Sequence, residues 1–382
     1  MIGRRRAAIR TGALALAAFL AGCQVIPKGP PPPPPPPPPP VSAIPSDGGH
    51  HRVALLVPLA GPQAGAGQAI ANAAQMALLD MNADNLRITT YDTAPGVEAA
   101  ASRAIADGAM LILGPLLGED ADNVARIAKR ARVPAISYSN DVAAAGGGVF
   151  VMGNIPGEAI ERVVAHARSQ GASRFAALIP VGTYGERASN AMLAAVRAGG
   201  GSMVGMESYD RSGSNILAAA RRLKARGAFD AVLIADGGRI AALAAPVLKA
   251  GAPGLRILGT ELWSGDPVVV KTPALTGAEF AALSDARFAR FAQSYRARFG
   301  AAPYRIATLG YDSVLLTLRI AREWRADAPF PTARMYDRGG FLGLDGAFRF
   351  GSDDVVDRAL EVREVRAGTV RVISPAPDKF GD

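Results

Sequence analysis

From Val53 onward the chain alternates between two kinds of segment. Short runs of β-branched and aliphatic residues, bounded by Gly or Pro, give way to Ala-rich stretches whose apolar positions recur every three or four residues. The first kind predicts buried strands over Val53–Val57, Arg87–Tyr91, Met110–Leu113, Ala135–Tyr138, Val149–Met152, Phe175–Ile179, Val204–Tyr209, Ala231–Ala235 and Arg256–Leu258. The second predicts helices between most of them, among them Gly67–Met81, Asp120–Arg132, Ile160–Ser169, Arg187–Ala198, Ile216–Arg226 and Ile240–Ala250. Strand and helix alternating at this spacing imply a mainly parallel sheet covered on both faces, an α/β fold. Near Gly346 the pattern changes to short paired strands, Gly346–Phe350, Ala359–Val365 and Thr369–Ile373, with Arg366-Ala367-Gly368 as a hairpin turn.

The start of the chain breaks this pattern. A basic segment from Met1 to Arg10 leads into an apolar stretch, Gly12 to Leu20, that is far too short to span a bilayer. Leu20-Ala21-Gly22-Cys23 follows and matches the bacterial lipobox, in which the cysteine thiol takes a diacylglycerol and, after cleavage, the freed amine takes a third acyl chain. Residues 1–22 therefore read as a lipoprotein signal peptide and Cys23 as the lipidation site. Gln24 stands where a retained lipoprotein would carry Asp, which points to the periplasmic side of the outer membrane. Pro30 to Pro40 is an unbroken run of eleven prolines. It has no backbone donors and fixed φ, so it forms a polyproline II rod of about 34 Å at ~3.1 Å per residue. Residues 23–51 are read as an acylated, stiff tether.

Composition narrows the chemistry. The chain has 382 residues, 49% of them hydrophobic, enough after the tether for two domains of ordinary size. Its one cysteine excludes an intramolecular disulfide, and three histidines, two of them adjacent at His50 and His51, offer no cluster for a metal. Removing Arg4, Arg5, Arg6 and Arg10 with an acid-free signal peptide lowers the formal charge from +9 to +5. The remaining basic residues are scattered rather than blocked, which describes a solvated surface better than a nucleic-acid site. No Gly-x-Ser-x-Gly, Ser-x-x-Lys or His-Glu-x-x-His occurs, and Gly65-Ala66-Gly67-Gln68-Ala69-Ile70 lacks the third glycine of a dinucleotide fingerprint. No catalytic residue, metal or cofactor is expected, and His166 lies in mid-helix.

The residues also carry a family resemblance. Val53-Ala54-Leu55-Leu56-Val57-Pro58-Leu59-Ala60-Gly61-Pro62 with Gly67-Gln68-Ala69, then Ile112-Leu113-Gly114-Pro115, Val133-Pro134-Ala135-Ile136-Ser137, Tyr184-Gly185-Glu186 and Gly310-Tyr311-Asp312 occur in order. Together with the closing stretch from Asp345 to Val372, this resembles the type I periplasmic binding proteins of the leucine/isoleucine/valine group. The resemblance implies two lobes joined by crossing segments, each lobe a mainly parallel sheet flanked by helices. Lobe one is expected over 52–153 plus 266–330, lobe two over 154–265 plus 331–375, with 376–382 as a tail.

In that group the Gly-Pro loop continues with Ser or Thr residues that bind a ligand α-carboxylate; here it runs into Leu116 and Leu117. Two leucines supply no hydrogen bond, and a carboxylate buried against them would go unsatisfied. Other candidates for the cleft are Gln63 and Gly65 in the loop opening the first helix, and Ser137, Tyr138, Ser139 and Asn140 after a strand end, where open α/β sheets place ligands. The serine group would equally serve to cap the following turn. Tyr184 matches the group's ligand-stacking tyrosine, and Asp236 and Glu261 follow strands, where each would receive an ammonium or cap a helix. The Gly-Pro-Leu loop, the lipobox and the tether together resemble another branch of the fold, the lipoprotein activators of penicillin-binding proteins. That branch implies a non-catalytic role with a peptidoglycan synthase as partner. The alternative is a substrate-binding lipoprotein of an ABC transporter, taking an amino acid or other small amphipathic solute as its ligand.

Overall fold

The computed structural model describes residues 49–211, 213–325 and 328–381. Cys23 and the proline run lie outside the described residues. Five parallel strands, β1 (His51–Val57), β2 (Leu86–Asp92), β3 (Leu111–Leu113), β4 (Ala135–Ser137) and β5 (Val149–Val151), form one sheet in the order β2-β1-β3-β4-β5. Helices α1 (Ala64–Asp80), α2 (Val97–Ala106) and α3 (Gly118–Ala131) connect its first four strands.

The second sheet runs β15-β14-β10-β9-β8-β6-β7. Its parallel part is β6 (Arg174–Pro180), β7 (Ser202–Tyr209), β8 (Ala231–Ile234), β9 (Arg256–Gly259) and β10 (Glu279–Ala282). The connecting helices are α4 (Pro156–Ser169), which enters this lobe, α5 (Thr183–Ala198), α6 (Gly213–Ala225), α7 (Gly238–Lys249) and the short α8 (Pro267–Lys271). The hairpin β14 (Glu361–Arg366) and β15 (Thr369–Ser374) closes the sheet antiparallel to β10. Two long helices, α9 (Asp285–Phe299) and α10 (Ala307–Ala321), and a small antiparallel sheet of β11 (Phe341–Gly343), β12 (Gly346–Phe350) and β13 (Val356–Arg358) complete the chain.

The unbroken apolar runs follow from burial on both faces. In β1, Val53, Leu55 and Val57 belong to a core that includes Ile70 and Ala74 of α1 and Val314 and Leu316 of α10. The intervening Ala54 and Leu56 belong to a core with Ala101 of α2 and Val124 of α3. A period of two thus divides one strand between two helical layers. In the second lobe Ala176 and Leu178 of β6 share a core with α6 and α7, while Phe175, Ala177 and Ile179 share one with α4 and α5.

The later crossings between lobes differ from the expected boundaries. Residues 266–283 belong to lobe two, because β10 pairs with β9 and β14, and Val269, Leu275 and Phe280 sit in its core. Residues 331–358 belong instead to lobe one. There Phe348, Phe350 and Val356 share the core of Val53 and Leu55, and Phe150 of β5 meets Phe350 edge-on at 5.2 Å. The chain therefore crosses through Met152–Ile155, at Leu283-Ser284 and at Ala359-Leu360.

Helices α1 and α10 pack closely because Gly310 has no side chain. A Cβ there would lie 2.4 Å from the backbone oxygen of Ile70, a distance no relaxed contact allows. Gly310→Ala is expected to lower stability by about 1–3 kcal/mol through overpacking, read as a lower urea midpoint with an unchanged slope.

Candidate functional site

The carboxyl ends of the parallel strands, where this architecture places ligands, hold most of the residues singled out above. Gln63 is exposed ahead of α1, without a side-chain cap, and Gly65 lies under Tyr304, whose hydroxyl would be 2.8 Å from a Cβ at that position. Leu116 is buried in the lobe-one core and Leu117 packs against that core. Tyr138 is also a core residue, with its hydroxyl 2.7 Å from Ser313 Oγ. Ser137 Oγ accepts from Ser139 N at 3.3 Å, and Ser139 Oγ accepts from Asp141 N at 2.9 Å. Both hydroxyls are buried and shape the turn after β4.

Asn140 is exposed and reaches across the gap between lobes. Arg187 of α5 donates to its Oδ1 at 3.0 Å and lies 3.5 Å from Asp141. Asp236, behind β8, is already saturated: Oδ2 accepts from Tyr209 Oη at 3.1 Å and from Arg211 Nε at 2.9 Å, and Oδ1 accepts from Gly237 N. Tyr184 and Glu261 do meet. The tyrosine hydroxyl lies 3.2 Å from Glu261 Oε1 and 3.1 Å from Thr260 Oγ1, and burial together with the Glu261 charge makes it a weaker acid than usual.

Glu261 also opens onto a cavity of about 350 Å³ at the three crossings. Ile155, Ala159, Leu283, Phe288 and Leu360 give it apolar walls; Asn154, Glu158, Asp285, Arg305 and Arg358 add polar groups. These five polar residues were not singled out by sequence reading. Glu158 stands three residues after Ile155 at a helix start, where an acid reads as a cap. It is one, accepting from Ile155 N at 3.4 Å, but its other oxygen accepts from Arg358 N at 2.6 Å, so it joins the first crossing to the third. Arg358 in turn donates to Met152 O.

The second crossing is tied from both lobes. Asp285 pairs with Arg305 at 2.6 Å and with Arg363 of β14 at 2.7 Å. Burial opposes its ionisation, but the two guanidinium groups outweigh that and hold its carboxyl below the usual range. Arg363, only 3% exposed, also donates to Glu361 Oε1 and to Leu283 O. Arg305 reaches Asp345 of the β11–β12 turn at 2.8 Å.

The cavity gathers several buried polar atoms with no hydrogen-bond partner. Among the described residues these include Asn154 Oδ1, Glu261 Oε2 and Arg358 Nε, all from its lining. Burial pushes the carboxyl groups of both Glu158 and Glu261 up to about 7.

Two outcomes follow from this network. Arg363→Met leaves the buried Glu361 without its counter-charge, while the half-exposed Asp285 keeps Arg305, and should cost about 3–5 kcal/mol in urea unfolding. Glu261 binds its proton more tightly folded than unfolded, so its contribution to stability is complete below the ordinary glutamate range and is lost as pH climbs through about 7. Glu261→Gln should flatten the fall in unfolding free energy between pH 5 and pH 8 by up to about 3 kcal/mol relative to the unsubstituted protein.

Known proteins share this architecture. A putative branched-chain amino acid ABC transporter protein from Rhodospirillum rubrum superposes with a TM-score of 0.74 at 21% identity, covering 85% of this chain and 100% of that one. The C-domain of LpoA from Haemophilus influenzae, a regulator of PBP1A, gives a TM-score of 0.68 at 16% identity over 84% of this chain and 99% of that one. An uncharacterised protein of Rickettsia prowazekii is 30% identical over 142 residues, which span 37% of this chain and 38% of that protein. The sequence model of the periplasmic binding protein family matches residues 51–369, and the chain belongs to that family.

Proposed function

We propose that the chain is a non-catalytic lipoprotein, anchored through Cys23 on the periplasmic side of the outer membrane, that activates a penicillin-binding protein in peptidoglycan synthesis. One observation carries this reading. At the mouth between the lobes, the groups that would have to grip an amino acid are buried or already paired: Leu116 has no donor and lies in the core, Ser137 and Ser139 are buried with their oxygens accepting from backbone N–H groups of their own turn, and Asp236 is held by Tyr209 and Arg211. A receptor for an amino acid needs accessible donors there for the α-carboxylate, since an unsatisfied buried charge costs several kcal/mol. A regulator acting through its outer surface needs none.

The tether supports the same reading. A lipobox cysteine followed by eleven consecutive prolines suits a protein that acts at a distance from its own membrane, whereas a receptor serving an inner-membrane permease gains nothing from an outer-membrane anchor. The shared fold with the LpoA C-domain, described as a regulator of PBP1A, is in keeping with it. The second reading, a solute-binding lipoprotein of an ABC transporter, is favoured by the unpartnered atoms of the cavity at the crossings.

The activator reading is tested by measuring glycan polymerisation and crosslinking by a purified bifunctional synthase with and without the full-length protein. A rise of several fold, with direct binding between the two, is expected. In cells, Cys23→Ala should move the protein to the soluble periplasm and abolish its effect while leaving the purified pair active. No binding and no stimulation would overturn the proposal.

A further inference from the structure

The cavity at the crossings presents a defined set of unmet hydrogen bonds on Glu261, Asn154 and Arg358, while its other charged groups are engaged. Asp285 is held by Arg305 and Arg363. Glu158 accepts two backbone N–H groups, and the Arg358 charge lies beside it. Glu261 has one oxygen on Tyr184 and the other, Oε2, on nothing. A buried carboxylate oxygen without a partner is satisfied by a cationic donor more completely than by any neutral one.

The other two open atoms have opposite needs. Asn154 Oδ1 requires a donor and Arg358 Nε an acceptor. A hydroxyl or a primary amide meets both; a carboxylate meets only the second. Between these polar points the walls are Ile155, Leu283, Phe288 and Leu360, and the volume of about 350 Å³ falls within the range of small-molecule sites.

We infer that this cavity binds a small amphipathic amine whose protonated nitrogen meets Glu261 and whose far end is a neutral hydroxyl or amide meeting Asn154 and Arg358, with no carboxylate. The inference is independent of the synthase partner and rests on the second reading, that the lobes enclose a solute. It departs from the amino-acid receptors of the fold in placing the site at the crossings rather than at the engaged loops of the mouth.

The test uses the full-length protein in detergent and four probes: tyramine and 5-amino-1-pentanol, which match the description, and tyrosine and 4-ethylphenol, which add a carboxylate or lack the amine. Tyramine or 5-amino-1-pentanol should raise the melting temperature and give saturable heats of binding; the other two should do neither. Glu261→Gln should weaken the amine at least tenfold, and Asn154→Ala should weaken it severalfold. Glu279→Gln, a change at a buried carboxyl outside the cavity, should leave it unaltered.

Glu261 is faced by Tyr184 of α5 and, around the cavity, by Glu158 of α4, Asp285 of α9, Arg305 and Arg358. Because burial raises its proton affinity, binding should be about tenfold weaker at pH 6 than at pH 8. If tyrosine bound and the two amines did not, the solute reading would stand and the amine class would fall. If no probe bound, both would fall, while the synthase assay would be unaffected. Amine binding unchanged in Glu261→Gln would also overturn the assignment.

Discussion

Arg363 cannot leave its place without stranding charge. It lies almost fully buried on β14, in ionic contact with Glu361 beside it and with Asp285 at the head of α9, and it also holds the backbone of the second crossing at Leu283. Two lobes that share no sheet are thus fastened where the chain passes between them, by interactions whose rupture leaves an uncompensated buried ion. Arg305 repeats the grip on Asp285 from the other side and extends it to Asp345, and Glu158 links the remaining two crossings.

That arrangement divides the space between the lobes into two regions of different character. At the mouth, Arg187 already spans to Asn140 and Asp141, and the side chains on the strand ends are engaged with near neighbours. At the crossings, apolar walls enclose polar atoms that remain unmatched. Partly exposed pairs such as Arg187–Asp141 contribute little to stability in water, so they set the position of the lobes without locking it. At the crossings the buried Arg363–Glu361 pair costs far more to separate, because either partner alone would be an uncompensated buried charge.

Much of the fold is legible in the sequence, for a physical reason. A strand buried on both faces has to be apolar throughout, so β1, β3, β6 and β8 stand out as short hydrophobic runs between helices. The boundaries that sequence reading misplaced are those where the signal is weakest. β10 has only four residues and carries Glu279, a buried charge paired with Arg256, so it does not read as a core strand. β11 has only three residues and β12 and β13 carry Arg349, Asp357 and Arg358, and it is Phe341, Phe348, Phe350 and Val356 that pack them on lobe one. The residues at the mouth were found because they follow strand ends. Those at the crossings were not, because Asn154, Asp285 and Arg358 lie far apart in the chain and meet only after both lobes have formed. Asp236 reads from sequence as an ammonium receiver or a helix cap, and its pairing with Arg211 is not legible there because Arg211 sits beyond a different strand.

The order in which strands enter the second sheet sets a rule for how the head is made. β10 lies between β9 and β14, and β14 arrives only after α9, α10 and the small antiparallel sheet have been built into the other lobe. Until the last hairpin emerges, β10 is an open edge with unpaired backbone groups, the kind of surface that recruits strands from other molecules. A chain of this design emerges in segments whose lobes cannot be finished one at a time. Its safe assembly depends on keeping that edge shielded until the hairpin of β14 and β15 arrives.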